Sequence, residues 1–403
     1  MSSNNYTTLS YTDTLAVVRA ALFTPGYKGA WGLPMLLVGP PGVGKSAGTG
    51  DLAQACGLLF KALIGSIRDP ADFGGYPAAD PDDRQFARAL LPQWLRDLAV
   101  WGKDGQGGVL LLDELTTIPL SVQSAMLALV LDRMVGDFKI PARVRPLLAA
   151  NPTELAVCGV DLAAPTSNRM GHLWWEGPSL DEWEAALDRD GAPLVAENAL
   201  EVEAEVERQW PAAYARARKI VLGYLRKVPG NANQCPKPGS PDSSAAWPSL
   251  RSWEFAMRAL ASSAIHGLSE EQRDGFVASF VGRPVAVAFL AWLRDADLPD
   301  ALDVLDGRVR WSPNPARPDR TQTVFALLAD ALSRDNGPQA LARGRVFWQA
   351  VIAAEDCPDL ALRAVTKLAV CTSGINQLPE AVQARRAVLP VAQAVNLGGL
   401  RSQ

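Results

Sequence analysis

The sequence is poor in the residues that hold metals and cross-links. Its 403 residues include five cysteines and two histidines, and the cysteines are scattered singly with no CxxC pair. A disulfide framework needs pairable cysteines, and a structural zinc site needs clustered Cys or His ligands. The sequence therefore predicts neither kind of site. His172 and His266 lack neighbouring metal ligands, and we expect both to be structural or solvent-facing.

Long runs of positive charge or of apolar residues are missing as well. The formal net charge is -4 and the pI is near 5.4, with no long Lys/Arg run, which argues against nucleic acid as a partner. The longest apolar stretch, residues 284–293, is shorter than the ~20 residues that span a bilayer. The polar N-terminus lacks the pattern of a signal peptide. We expect a cytoplasmic protein with no membrane insertion.

Short apolar runs alternate with amphipathic stretches over residues 33–175. This alternation predicts an α/β fold in which helices cover a five-stranded parallel sheet. The third strand is apolar throughout, as a strand covered on both faces should be. The predicted strands are residues 35–38, 59–64, 109–112, 146–150 and 172–175. The predicted helices between them are residues 45–55, 92–101 and 120–133.

Two insertions interrupt the alternation, at residues 72–85 and 134–143. In the second insertion, Gly136 and Asp137 lie between alternating residues, which predicts a hairpin turn. Hairpins that leave a packed core usually serve partners.

After residue 175 the strand signals fade and helical patterns follow. We predict three domains, at residues 1–177, 178–297 and 298–403. A segment rich in Pro, Gly, Ser and Asn predicts a flexible loop at residues 229–248. The helices predicted in this half of the chain are residues 180–187, 195–210, 213–227, 249–265, 269–296, 321–334, 338–354 and 360–371.

One glycine-rich segment matches the phosphate-binding pattern GxxxxGK[ST] between a predicted strand and a predicted helix. Its residues are Gly39, Pro40, Pro41, Gly42, Val43, Gly44, Lys45 and Ser46. In such a loop, backbone N–H groups converge on phosphate oxygens. We expect Lys45 to neutralise the terminal phosphates and Ser46 to coordinate magnesium. The alternative is a chance glycine-rich turn.

The apolar run at residues 109–112 ends in Asp113 and Glu114. The carboxyl edge of a buried parallel strand is where ligands bind, and we expect this pair to lie on a strand that neighbours the phosphate loop. Asp113 is predicted to hold the magnesium ion, and Glu114 to polarise the attacking water. The alternative is an ordinary acidic pair at a helix N-terminus. The guanine-reading sequence Asn-Lys-x-Asp does not occur, so ATP is the expected nucleotide.

Taken in order, these motifs resemble those of the AAA+ ATPases, and within them the MoxR-like group with an insertion in the second helix. The resemblance covers about residues 10–290. Residues 39–46 and the run LLLDEL at 110–115 correspond to the Walker A and Walker B elements. The DFGG stretch at 72–75 looks like the start of the helix-two insert, and residues 134–143 correspond to the insert before sensor 1. The resemblance implies a P-loop AAA+ core at 1–177, a helical lid at 178–297 and a further helical C-terminal region.

The resemblance also implies roles for three more residues. Asn151 ends a run, LAAN, that is similar to sensor 1, and it would position the lytic water. Arg169 lies in PTSNRM, which resembles the segment of an arginine finger, and it would act on the ATP of a neighbouring subunit. Arg251 lies in WPSLRSW, which resembles the start of the sensor 2 helix, although Leu250 replaces the usual proline. It would reach the γ-phosphate in the same subunit. For both arginines the alternative is an ordinary surface side chain.

For the whole protein the resemblance implies hydrolysis of ATP to ADP and phosphate with Mg²⁺, in a homohexamer with ATP at each interface. It implies a chaperone-type remodeller of a protein client, working with a protein that carries a von Willebrand factor A domain. Two alternatives remain open. A DNA-directed AAA+ motor or loader would share the same ATP site, and so would a nucleotide-bound scaffold with negligible hydrolysis.

Overall fold

The computed structural model describes residues 7–83, 85–105, 107–156, 159–189, 196–237, 240–370 and 374–394. Arg84, Val195, Cys371 and residues 238–239, which the predicted segments include, lie outside the described residues. The chain forms two compact units. The first unit contains Met1–Tyr214 and Asn231–Val287, and the second contains Ala215–Gly230 and Ala288–Gln403. The division into domains at 1–177, 178–297 and 298–403 stays a prediction.

The first unit is built around a parallel sheet of six strands, which confirms the predicted α/β class. Its strands are β1 (Thr7–Thr8), β2 (Met35–Val38), β3 (Leu59–Ile64), β6 (Gly108–Asp113), β9 (Val144–Ala150) and β10 (Gly171–Trp174). The order across the sheet is β1-β10-β2-β9-β6-β3. The sequence predicted five strands, because β1 contributes only two residues and shows no periodicity of its own.

The strand order corrects one expectation. The strand that ends in Asp113 was predicted to be a neighbour of the strand before the phosphate loop, but β9 lies between β6 and β2. Every residue of β2 and β9 is buried, because helices cover both faces of the sheet.

The first unit carries its helices around this sheet. They are α1 (Tyr11–Leu22), α2 (Lys45–Ala55), α3 (Ala71–Gly74), α4 (Trp94–Asp104), α5 (Leu120–Asp132), α6 (Ala164–Ser167), α7 (Leu180–Asp188), α9 (Leu250–Ile265) and α10 (Glu270–Val281). Two more helices, α8 (Ala199–Lys227) and α11 (Arg283–Ala296), cross from one unit to the other.

Each insertion forms a two-stranded antiparallel hairpin. The first is β4 (Tyr76–Ala79) with β5 (Ala87–Leu90), and the second is β7 (Met134–Val135) with β8 (Phe138–Lys139). The hairpin predicted at residues 136 and 137 is therefore confirmed. The first hairpin extends five residues beyond the predicted end at residue 85. The two insertions touch, since a Cβ atom placed on Gly136 would lie 3.0 Å from the Cβ atom of Ala89.

The second unit is helical, and its core contains Phe325, Phe347 and Trp348. Its remaining helices are α12 (Ala301–Leu305), α13 (Pro318–Leu332), α14 (Ala340–Ile352), α15 (Asp359–Ala369) and α16 (Pro379–Ala394). Among the described helices of the chain, none combines the length and the apolar character needed to cross a membrane.

Two helix predictions were wrong. The sequence indicated one helix over 269–296, whereas α10 ends at Val281 and α11 begins at Arg283, because Gly282 between them has φ 81°, a conformation that ends a helix.

The sequence also indicated two helices, 195–210 and 213–227, with a break near Pro211, whereas α8 continues through that proline. A proline removes one backbone donor without forcing a helix to end. The flanking Ala, Arg, Glu and Leu residues favour the helix strongly enough to continue it.

Candidate functional site

The carboxyl ends of three neighbouring strands form one site. The phosphate loop follows Val38 at the end of β2, Asn151 follows β9, and Asp113 ends β6. The register places Val38 beside Ala150 and continues the alignment from β9 to β6. This edge of a parallel sheet is where ligands of α/β proteins bind. The structure therefore brings the predicted phosphate loop, acidic pair and Asn151 together.

The backbone of the phosphate loop needs glycine at both ends. Gly44 precedes α2 with φ 78°, a left-handed conformation that favours glycine. At the other end, a Cβ atom on Gly39 would lie 2.3 Å from the backbone oxygen of Trp175, so no side chain fits there. The first turn of α2 directs its unpaired N–H groups toward this loop, and its dipole favours an anion there. The loop and helix together form a cradle of the shape that binds phosphate in other proteins.

Lys45 is held inside the site by three acceptors. Its Nζ donates to the backbone oxygens of Gly39 at 2.7 Å and Pro40 at 2.8 Å, and to Oδ1 of Asn151 at 2.9 Å. The side chain is 8% exposed. Burial lowers the pKa of the ammonium group, and the nearby Asp113 carboxylate partly offsets this effect. The lysine is thus a desolvated cation, and its charge acts strongly on any phosphate nearby.

Ser46 and Asp113 are in direct contact. The hydroxyl of Ser46 donates to Oδ2 of Asp113, and the backbone N–H of Glu114 donates to Oδ1 at 2.8 Å. A hydroxyl and a carboxylate are hard oxygen ligands of the kind that Mg²⁺ prefers. The position of both groups next to the cradle fits a magnesium ion bound with a triphosphate.

Glu114 has an unusual backbone. Its φ is 64°, which lies in the left-handed region that costs a non-glycine residue about 1–2 kcal/mol. Thr117 stabilises this turn, because its N–H and its hydroxyl donate to the backbone oxygen of Glu114 at 3.0 and 2.8 Å. Backbone strain of this kind clusters at functional sites. The turn directs the chain away from β6 directly after the acidic pair.

Sequence reasoning missed the residues that support the loop from behind. Trp175 is fully buried, and its Nε1 donates to the backbone oxygen of Val43 at 3.3 Å. The ring of Tyr11 packs edge-on against the ring of Trp175, with centroids 5.4 Å apart. A Cβ atom on Gly48 would meet both rings, so this glycine lets α2 approach them. Tyr11 lies far from the motif in sequence, and no local pattern marks it.

The predicted Arg169 lies at the other edge of the sheet. Arg169 comes just before β10, whose first residue Gly171 pairs with Met35, the first residue of β2. The phosphate loop follows the last residue of β2, which is three residues and about 10 Å further along the strand. The Nε of Arg169 is buried and has no hydrogen-bond partner among the described residues. The structure therefore does not bring Arg169 to the phosphate loop of its own chain.

Arg251 is held near the same edge. The Ser249 hydroxyl, which caps α9, donates to Oδ1 of Asn168 at 2.6 Å, and Nδ2 of Asn168 donates to the backbone oxygen of Trp247 at 2.8 Å. These bonds fix the start of α9 beside the residue that precedes Arg169. Arg251 follows two residues after Ser249 and is exposed. Its expected reach to a γ-phosphate in the same subunit stays a prediction.

His172 is structural, as expected. Its ring is buried, and Nε2 donates to the backbone oxygen of Ser167 at 2.8 Å. Burial lowers the pKa of this imidazole to about 4. Burial also lowers the pKa of His266 to about 4, and the neighbouring Arg19 adds to the effect.

Comparison with known proteins finds distant similarity to solved structures. No family model matches the chain, and no curated protein is found to be similar. One similar solved structure is that of a candidate ATPase from Cytophaga hutchinsonii ATCC 33406. The two chains are 15% identical, with a TM-score of 0.46, and the match covers 72% of this chain and 90% of that chain. A likeness this distant leaves the function to be argued from the site itself.

Proposed function

We propose that this chain is an ATP-hydrolysing P-loop protein of the AAA+ type. The observation that carries the proposal is the contact between Ser46, which follows the phosphate loop, and Asp113, which ends β6. These residues are 67 positions apart in sequence. Their contact unites the phosphate-binding cradle with the acidic pair in one site, as hydrolysis of a magnesium-bound triphosphate requires.

The residues present fit a magnesium ion and a triphosphate. A Cβ atom on Gly42 or Gly44 would meet nothing within 4 Å, so the concave side of the loop is open. Ser46 and Asp113 would hold the ion, directly or through water. A bound Mg²⁺ would supply charge that neutralises the phosphate oxygens during phosphoryl transfer.

The remaining residues at this edge have distinct chemical roles in the proposal. Lys45 neutralises the terminal phosphates, for which it must exchange its present acceptors for phosphate oxygens. Glu114 accepts a proton from the attacking water, and the Asn151 amide orients that water. The Thr116 hydroxyl donates to the Asn151 backbone oxygen at 2.8 Å and so fixes where β9 ends.

We propose that Arg169 and Arg251 both act on the site of a neighbouring subunit. A guanidinium stabilises the charge that spreads over the transferring phosphoryl group. Within one chain Arg169 comes just before β10, at the edge of the sheet opposite Lys45, and the start of α9, which carries Arg251, is bonded to Asn168. A ring in which this edge faces the next subunit's phosphate loop supplies them, and the homohexamer implied by the resemblance is such a ring. For Arg251 this role is an alternative to the expected one in its own subunit.

The proposal that the protein acts on a protein client rests on the MoxR-like resemblance alone. That resemblance favours a chaperone-type remodeller of a protein client, with a von Willebrand factor A domain protein as partner, in the cytoplasm. The touching hairpins β4–β5 and β7–β8 form one projecting region, and Phe86 and Leu90 on it are 68% and 49% exposed. Exposed apolar side chains suit contact with a protein.

Steady-state phosphate release tests the enzymatic part of the proposal. Glu114→Gln keeps the size of the side chain but removes its basicity, so we expect hydrolysis to fall about 10²- to 10⁴-fold. Glu184→Gln, an exposed change on α7, is the matched control and should leave the rate unchanged. Equal rates in the wild type and Glu114→Gln would defeat the enzymatic role and favour a nucleotide-bound scaffold.

A further inference from the structure

The two units carry opposite charge. The second unit, Ala215–Gly230 with Ala288–Gln403, has 18 Lys and Arg against 12 Asp and Glu, a formal charge of +6. The first unit has 21 Lys and Arg against 31 Asp and Glu, a formal charge of -10. The chain total of -4 therefore conceals a basic unit. Such asymmetry between parts of a chain suggests a polyanionic partner for the basic part.

Part of this positive charge gathers around one carboxylate. Asp330, on α13, pairs with Lys219 of α8 at 4.0 Å, and also with Lys367 of α15 and Arg334 just after α13. Asp330 is 9% exposed, whereas its partners reach the surface. One buried carboxylate thus lies against three cations.

Further cations extend this cluster along α8. The charges of four neighbouring cations act on Lys219, and these are Arg218, Arg226, Arg334 and Lys367. The charge of Arg363 on α15 acts on Arg226. Together these six side chains form what we call the basic face. Its members are Arg218, Lys219, Arg226, Arg334, Arg363 and Lys367.

The charges in the basic face repel one another. Burial, followed by the neighbouring cations, lowers the pKa of Lys219 to about 8. Burial and then Arg363 also lower the pKa of Arg226. An arrangement that disfavours its own charge gains stability when an anion neutralises it.

The size of the basic face suits a chain of phosphates. Arg218 and Arg226 are eight residues apart on one helix, which corresponds to about 12 Å. One strand of B-DNA carries a phosphate about every 3.4 Å along its axis, so three or four phosphates lie over this length. Next to Arg226, at one end of the basic face, lies a cavity of about 380 Å³. Arg226, Lys227 and Arg317 line it, so it is positively charged as well. Asp319, which also lines this cavity, is paired with Lys227 at 2.9 Å.

The basic face also lacks what a protein partner requires. Along Ala215–Lys227 and α15, which are described throughout, no large apolar side chain is exposed, and Val370, which caps the C-terminus of α15, is the single exposed one among the described residues that flank them. Val221, Val365 and Leu368 point into the core instead. Protein interfaces depend on buried apolar and aromatic anchors and are depleted of lysine at their centre. Backbone contacts with nucleic acid depend on lysine and arginine without such anchors.

We propose that the basic face binds the phosphate backbone of a nucleic acid without reading its sequence. This function is separate from the ATP site and does not rest on the function proposed for it. It assigns a role to the C-terminal region, which the family resemblance does not cover.

Fluorescence anisotropy of the full-length chain with labelled 20-nucleotide DNA, single- and double-stranded, tests the proposal. With three or four phosphates contacted, affinity for double-stranded DNA should fall about 100-fold between 50 and 200 mM salt. Lys219→Gln with Arg363→Gln removes two cations and should weaken binding at least about tenfold at 50 mM salt, with a shallower salt dependence.

The matched control removes two cations from the same unit outside the basic face. Arg308 pairs with Asp303 and Arg345 pairs with Glu380, so Arg308→Gln with Arg345→Gln changes the net charge equally. Its DNA affinity should stay within twofold of the wild type. Urea unfolding curves show whether a variant is folded. If Lys219→Gln with Arg363→Gln is misfolded, Arg226→Gln, which removes one cation of the basic face, is measured in its place.

Three results would overturn the proposal. One is no saturable binding of either DNA at 50 mM salt by the wild type. Another is an equal loss of affinity in both double variants, which would reduce the effect to net charge. The third is competition by poly-glutamate as effective as that by unlabelled DNA, which would assign the basic face to an acidic protein segment.

Discussion

The side-chain oxygen of Asn151 accepts a hydrogen bond from Nζ of Lys45 at 2.9 Å. The lysine follows β2, and the asparagine follows the neighbouring strand β9. The group proposed to face the terminal phosphates is thus bonded to the group proposed to orient the water. In the proposed function, a phosphate that draws Lys45 away from Asn151 would release the amide, and nucleotide binding would be coupled to water positioning through this bond.

Replacement of Lys45 should strongly weaken nucleotide binding. Lys45→Ala deletes the buried cation that faces the phosphates, and we expect the affinity for a fluorescent ATP analogue to fall roughly 100-fold. Lys61→Ala is the control, because Lys61 pairs with Asp97 at the surface. Unchanged affinity in Lys45→Ala would contradict the placement of the phosphates.

Replacement of Asn151 should separate binding from hydrolysis. Asn151→Ala removes the amide that orients water but keeps the cradle, so the rate of phosphate release should fall roughly 100-fold. Affinity for the ATP analogue should change less than about threefold. The proposed role of Asn151 fails if affinity and rate fall by the same factor, since that pattern indicates a damaged cradle.

Mixed rings should show that both arginines act between subunits. Arg169→Ala or Arg251→Ala alone should bind nucleotide normally and hydrolyse about 10³-fold more slowly. When either variant is mixed with Glu114→Gln subunits, an intact glutamate meets an intact arginine at some interfaces, and activity should return. For Arg251, no recovery in mixed rings would restore the same-subunit role that the sequence suggested.

The first unit contains a buried ion pair whose disruption should be costly. Arg145, fully buried on β9, pairs with Glu203 of α8 and donates to the backbone oxygen of Leu22 at 2.9 Å. Arg145→Met leaves Glu203 short of a partner inside the protein, and the free energy of unfolding should fall by about 3–5 kcal/mol.

A double variant provides the control for this ion pair. Adding Glu203→Leu to Arg145→Met removes both buried charges, and most of the lost stability should return. Urea unfolding measures both proteins. A loss below about 1 kcal/mol in the single variant would show that water or Arg143, which also pairs with Glu203 at 2.9 Å, compensates for the missing charge.

The buried histidines should make the fold sensitive to mild acid. The pKa of His172 is about 4 in the folded protein, below its ordinary value near 6.5 in the unfolded chain. Between these values the unfolded state binds a proton that the folded state excludes, so stability falls as the pH drops from 6.5 toward 4. The slope approaches about 1.4 kcal/mol per pH unit for each such histidine.

Urea unfolding between pH 7 and 5 measures this dependence. In His172→Gln the slope should decrease by about the contribution of one histidine, with His266 supplying the rest. An identical slope in the variant and the wild type would mean that His172 titrates normally in the folded protein.

Local patterns predicted the parts of the fold that depend on neighbours in sequence. Strands 35–38 and 59–64 and helix 45–55 match β2, β3 and α2 residue for residue, because apolar runs and a glycine-rich turn bound them. The hairpin turn at Gly136 is another local signal, since that residue has φ 53°.

Local sequence patterns could not predict the features that depend on contacts between residues far apart in the sequence. The insertion of β9 between β2 and β6 is decided by packing of the whole sheet. The placement of Arg251 follows from bonds between Asn168 and Ser249, which are 81 residues apart. The basic face arises only when α8, α13 and α15 pack together, and the acidic first unit masks it in the total charge.

The left-handed backbone of Glu114 carries an evolutionary consequence. Glycine would relieve the strain at this position, so selection for stability alone would drive the residue toward glycine. A carboxylate is kept there only if its chemistry outweighs a folding penalty of about 1–2 kcal/mol. Relatives that have lost catalysis should therefore drift to glycine or asparagine at this point, which makes the residue a marker for active and inactive members among such proteins.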